Sequence, residues 1–221
     1  MELLVTGGNG FIGRRICKRA VRDGHEVTSV ARSGPPEAGE RGAWAADVDW
    51  IEGDVFAPHG WRDGLDGVDC VVHSIGTLSE SPAEGVTFER INGDSAIITA
   101  LEAERAAVDR FVYISSSATP PLVSDRYLTA RRRAEAAITD LDMETVIPRF
   151  GPVYGPAQPH FPPFVNKLVT AIGRFELVAA RMGDDRPFSV EQAATATYRL
   201  AVDEQVPSNP VRATELAALT D

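Results

Sequence analysis

The sequence predicts an α/β fold: a doubly wound parallel sheet with helices on both faces and a small C-terminal cap. Three observations predict it. Strand-like and helix-like apolar segments alternate along the chain, the pattern of a parallel sheet covered on both sides. A glycine triplet, Gly7, Gly10 and Gly13, stands between the first strand-like and the first helix-like segment. From Phe150 onward the alternation gives way to a proline-rich stretch containing Pro152, Pro156, Pro159, Pro162 and Pro163. With 221 residues, 23.8 kDa and 43% hydrophobic residues, one domain spanning 1–221 is expected, residues 150–221 contributing the cap. A chain of this size buries roughly 70% of its unfolded surface, so neither disulfide nor metal is needed for folding.

Leu3–Thr6 reads as the first strand, followed by the glycines and a helix from about Phe11 to Asp23, with Gly24 suited to the position past its end. Glu26–Val30 reads as the second strand, and Ser33 to about Gly42 as a Gly/Pro-rich loop. Val48–Glu52 and the Val-rich Asp69–His73 are the third and fourth strands. Thr87–Ala107 carries helical periodicity through Phe88, Ile91, Ile98 and Leu101, and Arg110–Ser115 is the fifth strand. Ser124 or Asp125 suits the cap of a helix running to about Leu141, and Glu144–Pro148 is the sixth strand. Beyond Phe150 the sequence predicts a helix near Phe164–Ile172, a β-like patch at Glu176–Val178, a helix near Val190–Val202 and a short tail.

Charge and composition exclude several function classes. The formal net charge of −10 lacks the basic footprint of nucleic-acid binding. No uncharged apolar stretch reaches the roughly 18 residues of a membrane span. The N-terminus has no basic leader, so no secretory signal is expected and a cytoplasmic protein is. Only Lys18 and Lys167 are lysines, a bias that fits a high-salt cytoplasm and also a GC-rich genome. Cys17 and Cys70 read as buried small apolar residues, with no metal-ligand spacing around them.

The glycine triplet carries the functional argument. The segment Thr6-Gly7-Gly8-Asn9-Gly10-Phe11-Ile12-Gly13 has the spacing of a Rossmann-like dinucleotide turn: one glycine permits the tight turn, one lets the backbone approach a diphosphate, and one lets helix and strand pack closely. The diphosphate would rest on the N–H groups at the start of the first helix. At the end of the second strand, where an acid would hold the ribose 2′-hydroxyl of NAD, the sequence reads Ala31-Arg32-Ser33. A guanidinium fork and a hydroxyl suit a 2′-phosphate, so NADP(H) is expected, with NAD(H) as the alternative; Arg14 is a further candidate.

These residues resemble the short-chain dehydrogenase/reductases of the extended and atypical kind, over nearly the whole chain. The segment TGGNGFIG is similar to that superfamily's phosphate loop. Gly53-Asp54-Val55 resembles its element after the third strand, which implies that Asp54 and Val55 contact adenine. His73-Ser74-Ile75-Gly76 is similar to the segment lining the cofactor ribose, and Ile91-Asn92-Gly93 sits where the superfamily has a structural Asn. Phe111–Thr119 (FVYISSSAT) resembles the fifth strand with its catalytic Ser, which implies Ser117 in that role and Ser115 beside the cofactor. Phe150, Gly151, Pro152 and Val153, within Arg149–Pro156, are similar to the stretch that contacts the nicotinamide amide. Pro187–Val190 resembles the turn before the late helix. GGNGFIGRRIC, VTSVARSG and DCVVHSIGTL look most like the atypical branch that includes the NADPH-binding accessory subunit of respiratory complex I and a mitochondrial protein of coenzyme Q biosynthesis. Members of that branch bind the cofactor, and not all of them catalyse.

The resemblance also implies a catalytic Tyr followed four residues later by Lys, one helical turn away and on the same face. Here the pair is Tyr127 and Arg131. Arg keeps the positive charge but relays no proton. Only a short segment separates Ser117 from Tyr127, removing most of the loop that covers substrate in sugar-nucleotide enzymes and implying a small, flat or differently placed substrate. His25, His59 and His160 read as surface residues. Phe150, Tyr154, Phe161 and Phe164 are candidates for an apolar wall over the nicotinamide, and Arg131-Arg132-Arg133 with Glu135 for a solvated, ion-paired helix face. Three functions follow: an NADP(H)-dependent oxidoreductase on a small or quinone-like carbonyl, a non-catalytic NADPH-binding structural or sensing module tied to quinone or respiratory metabolism, and a nucleotide-sugar epimerase or dehydratase. The expected partner is a small molecule. The helices Thr87–Ala107 and Asp125–Leu141 are where the superfamily dimerises, which allows a homo-oligomer.

Overall fold

Six parallel strands form the main sheet of the computed structural model, which describes residues 1–37, 42–120, 123–203 and 205–220. They are β1 (Glu2–Thr6), β2 (Glu26–Ala31), β3 (Val48–Glu52), β4 (Cys70–His73), β5 (Arg110–Tyr113) and, after a two-residue β6 (Ser115–Ser116), β7 (Glu144–Val146). Their order is β3-β2-β1-β4-β5-β7. The order reverses between β1 and β4, whose partners run from Leu3 opposite Cys70 to Thr6 opposite His73. In sheets of this kind the ligand crevice lies outside the carboxyl ends of the strands at that reversal.

Successive strand side chains point to opposite faces, and both faces are covered. Leu3, Val5, Cys70, Val72 and Val112 pack with α1 (Gly13–Arg22), α6 (Val190–Val202) and α7 (Ala213–Ala218). Leu4, Val71, Phe111 and Tyr113 pack with Trp61, α2 (Ser95–Arg105) and α3 (Arg126–Thr139). Cys17 and Cys70 are buried free thiols, and burial pushes both up to about 12.

The fifth strand stops earlier than expected. The chain leaves the sheet after Tyr113, and Ser115–Ser116 pair instead with β8 (Arg149–Phe150). The sixth strand also stops short, because Pro148 has no N–H and Ile147 donates its N–H to Asn209 Oδ1 (3.0 Å). The helix expected over Thr87–Ala107 is interrupted by a π-helical turn, Glu89–Asp94, before α2. The patch at Glu176–Val178 is helical, part of α5 (Glu176–Arg181): the amides of Val178 and Ala179 bond back to the Phe175 carbonyl at 2.8 and 2.9 Å. The tail carries α7, absent from the sequence reading. Part of the loop expected from Ser33 to Gly42 lies outside the described residues.

Within 150–221, β9 (Val153–Tyr154) pairs with β10 (Phe188–Ser189). Between them, α4 (Pro163–Arg174) and α5 stand off the sheet. By contrast α6 returns to it, capped by Ser189, whose Oγ accepts from the Gln192 amide while the Gln192 side chain accepts from the Ser189 amide. Among the described residues no helix is long and apolar enough to cross a membrane.

Candidate cofactor and active site

One cavity of about 1120 Å³ runs along the carboxyl ends of the strands. That exceeds the roughly 300–1,000 Å³ typical of a site for one drug-sized ligand. Its wall includes Gly7, Asn9, Gly10, Phe11 and Ile12 from the opening turn, Arg32 and Ser33 after β2, Asp54 and Val55 after β3, and Ser74, Ile75 and Gly76 after β4. Ser115 and Ser117, Tyr127 and Arg131, and Phe150, Gly151, Pro152 and Val153 complete the sequence-predicted set on the same wall.

Gly8, Gly13 and His73 lie behind that wall. A Cβ on Gly8 would run into Ser29, and one on Gly13 into the Gly7 carbonyl oxygen and the Ser74 hydroxyl. These two glycines therefore shape the turn, and Gly7 supplies its positive φ of 77°. His73 is fully buried, bonded through Nδ1 to Thr6 Oγ1 (2.8 Å) and through Nε2 to Ser95 Oγ (3.1 Å). Burial, aided by the Arg131 charge, holds its imidazole down at about 3. It cross-links β1, β4 and α2 and does not face the crevice.

The opening turn fits a dinucleotide. The Gly10 amide bonds to the Gly7 carbonyl at 2.8 Å, while α1 starts with no side-chain cap and no acid in its first turn. That leaves donors and the positive end of the helix dipole for an anion. Asn9 Oδ1 is buried without a partner, its Nδ2 donating to Ser33 Oγ (2.9 Å). Arg32 is exposed on the wall after β2. Arg14 turns back to donate to the Asn9 carbonyl (3.0 Å). Near Asp54, Arg90 lies 3.9 Å above the Phe56 ring. Both line the cavity, and the sequence reading missed both. Asp54 Oδ1 accepts from the Phe56 amide (3.0 Å), so the acid after β3 also seats this stack.

The Tyr127–Arg131 end of the cavity is built on α3. Tyr127 and Arg131 share one buried face of it, 4% and 8% exposed, and Phe88 packs edge-on against Tyr127. Arg131 donates to the Ile114 carbonyl (2.7 Å) and more distantly to Asn92 Oδ1 (3.3 Å) and the Tyr113 hydroxyl (3.4 Å). Among the described residues no carboxylate pairs with it, and its Nε is buried without a partner. Asn92 sits in the π-helical turn and also grips Thr77 through that residue's amide (2.9 Å) and carbonyl (3.0 Å). Gly76 leaves the room for this: a Cβ there would meet Arg131 at 2.7 Å and Asn92 at 3.0 Å.

The three arginines are not one solvated face. Arg131 points into the core and Arg133 pairs with Asp94 (2.5 Å). Arg132 pairs with Glu135 and donates to the Ser116 carbonyl (2.8 Å) and the Ser117 carbonyl (3.2 Å). Glu135 is itself buried, accepting from Ser115 Oγ (2.6 Å), Arg132 and Arg149. This cluster ties α3, β6 and β8 together and fixes the serine strand. Of its hydroxyls, Ser115 is spent on Glu135 and Ser116 on the Ala118 carbonyl (2.8 Å). Ser117 Oγ is buried with no partner.

Of the predicted surface histidines, His25 bonds the Tyr198 hydroxyl (3.0 Å), while His160, though exposed, reaches the cavity mouth. Phe150 and Phe161 line the cavity. Tyr154 packs below α4, and Phe164 faces outward. Among the described residues no group of His, Cys, Asp or Glu could hold a metal.

A glycine turn at the switch point of a 3-2-1-4-5-6-type sheet, continuous with a Ser/Tyr/Arg centre, defines an NAD(P)-type Rossmann domain of the short-chain dehydrogenase/reductases. The chain belongs to the NAD dependent epimerase/dehydratase family, whose model matches residues 3–181. It is 33% identical to MIOREX complex component 2 of Saccharomyces cerevisiae, over 61% of this chain and 65% of that protein. It is 30% identical to the ceramide reductase of Caulobacter vibrioides, over 69% of this chain and 46% of the reductase. The matched stretch thus spans about half to two thirds of these relatives. Among solved structures, MoeE5 in complex with UDP-glucuronic acid and NAD superposes with a TM-score of 0.67 at 21% identity, over 94% of this chain and 74% of that one.

Proposed function

We propose that the protein is an NADP(H)-dependent oxidoreductase that reduces a carbonyl compound. The observation that carries this reading is the meeting, on one cavity wall, of the glycine turn with a buried unpartnered Ser117 hydroxyl, Tyr127 and a buried guanidinium that no carboxylate of the described residues neutralises. Relatives named as reductases, of ceramide and of 2-alkyl-3-oxoalkanoate, support it. Arg32 and Ser33 would hold the 2′-phosphate, the amides of the opening turn the diphosphate, Phe56 and Arg90 the adenine face, and Phe150–Val153 the nicotinamide amide.

The chemistry supplied by the cofactor, when bound, is hydride donation to a carbonyl carbon. Ser117 Oγ donates a hydrogen bond to the carbonyl oxygen, and Tyr127 gives that oxygen its proton. Arg131, held in place by Ile114, Asn92 and Tyr113, stabilises the phenolate left behind and remains charged throughout. NADPH oxidation against a panel of ketones and quinones tests this. Turnover that falls about 10²- to 10⁴-fold in Tyr127→Phe supports the assignment, and full activity in that variant would remove it.

One observation favours a second reading, a cofactor-binding module without turnover: the Arg131 guanidinium is committed to three protein acceptors. A thermal shift with NADPH and no oxidation with any carbonyl would select it. The nucleotide-sugar reading has the ligands of the structural neighbours on its side, and an epimerised UDP-sugar product would select it.

A further inference from the structure

The helices that stand off the sheet carry six of the large exposed apolar side chains among the described residues. Phe164 is 70% exposed, Leu168 60%, Phe175 66% and Leu177 83%, with Val178 and Met182 also open. All six fall within the twenty residues of 163–182. Isolated exposed apolar residues need no explanation, but a contiguous cluster marks a surface that is covered in use. The face is not a loosely seated segment. Asn166 accepts from the Gly155 amide (3.2 Å) and donates to the Gly155 carbonyl (2.9 Å), and Gly173 lies so close to the Tyr154 ring that a Cβ has no room. Helix α4 is thus pinned on β9 through one side, and its apolar side is directed outward.

The charge of this face identifies its occupant. The chain as a whole has 32 acids against 22 Lys and Arg, yet Lys167, Arg174 and Arg181 all fall in this stretch, which holds a single acid, Glu176. The three cations are exposed, and each directly precedes an exposed apolar residue: Leu168, Phe175 and Met182. Exposed apolar side chains interleaved with cations are the composition of a surface that lies in the plane of a lipid interface, the apolar groups entering the acyl boundary and the cations meeting anionic headgroups. The nearest following acids, Asp184 and Asp185, lie beyond Met182, and Asp185 belongs to the cavity wall. Met182 is on that wall as well, so the apolar face reaches the cavity mouth.

We infer that the α4–α5 face docks the protein on an anionic lipid surface, with the cavity mouth beside the bilayer. This does not depend on the cofactor reading, since the contact needs no dinucleotide. A second copy of the chain is a weaker match, because two such faces would bring six cations together.

Co-sedimentation with vesicles tests it: pure phosphatidylcholine against phosphatidylcholine with about one third phosphatidylglycerol, without cofactor. The wild-type protein is expected to partition at least about tenfold more strongly onto the anionic vesicles, and to release as salt is raised. Lys167→Glu with Arg174→Glu is expected to abolish the preference, and Phe164→Ser with Leu177→Ser to weaken binding to both vesicle types by about tenfold or more. These side chains are exposed, so unchanged thermal midpoints and far-UV circular dichroism show that the variants remain folded. No wild-type binding, or equal binding to both vesicle types, overturns the proposal. A wild-type dimer in gel filtration that Phe164→Ser with Leu177→Ser dissociates overturns it too, assigning the face to a second copy.

Discussion

The Arg131 guanidinium carbon lies 4.9 Å from the centroid of the Tyr127 ring, one helical turn away on α3. The pair keeps a fixed positive charge against the phenol, in a site where no carboxylate of the described residues neutralises it. Replacing Arg131 by Met removes the charge, leaves Ile114 O and Tyr113 Oη without this donor, and leaves Asn92 Oδ1 with the Thr77 amide alone. Arg131→Met is therefore expected to lose about 1–3 kcal/mol of stability for these buried acceptors, as well as NADPH-dependent turnover. Arg131→Lys should recover part of the turnover and less of the stability. Urea midpoints and initial rates on the three proteins separate the two effects.

Glu135 predicts a purely structural loss. Glu135→Gln leaves Arg132 and Arg149 without their shared carboxylate, a change that costs about 3–5 kcal/mol for a fully buried pair. Both arginines remain about a third in contact with water, at 31% side-chain exposure, so the low end of that range is expected. Urea unfolding at neutral pH measures it, and a change below about 0.5 kcal/mol would show the cluster to be dispensable.

Arg32 predicts selectivity between cofactors. A charged hydrogen bond to a phosphate contributes about 1.5–3 kcal/mol, so Arg32→Ala should weaken NADPH binding by roughly ten- to hundredfold and leave NADH nearly unchanged. Titration calorimetry with both nucleotides reads the ratio; an equal loss for the two would remove Arg32 from the 2′-phosphate.

His73 predicts an acid limb to stability. Its imidazole is held at about 3 when folded, against about 6.5 in an unfolded chain. Between those values the unfolded state binds the extra proton, so stability is complete above about pH 6.5 and falls as the pH drops toward 3, by up to about 1.4 kcal/mol per unit. His73→Asn lowers stability at every pH but should flatten this limb between pH 6.5 and 5, where native carboxylates are still ionised. An unchanged slope in the variant would place the acid sensitivity elsewhere.

The parts of the molecule legible in sequence are those fixed by local rules. The glycine turn, the strand-and-helix alternation and the Val190–Val202 helix each depend on residues adjacent in the chain. The direction of Arg131 was not legible. Three consecutive arginines look alike in sequence, and what draws one inward is the space left by Gly76 together with acceptors on Ile114, Asn92 and Tyr113. The Phe56–Arg90 stack joins residues 34 positions apart, beyond any periodicity. At 176–178 the apolar character of Leu177 and Val178 suggests a strand, but their side chains are exposed and the backbone bonds back to Phe175 as a helix. His73 opens the segment that resembles the ribose lining, which makes it a cofactor candidate beside the plainer reading of a satisfied structural histidine; its hydroxyl partners on β1 and α2 make it the latter.

The π-helical turn at Glu89–Asp94 places Asn92 against both Arg131 and Thr77. Such a turn holds one residue more than regular α-helix, and each residue of α-helix advances the face by about 100°. Deleting one residue from this stretch would let the helix close into ordinary α geometry, with little loss to the helix itself. The Asn92 side chain would then turn away from Arg131 and Thr77, releasing both together. A single-residue length change here would thus cost the helix little and fall almost entirely on the seating of one buried guanidinium.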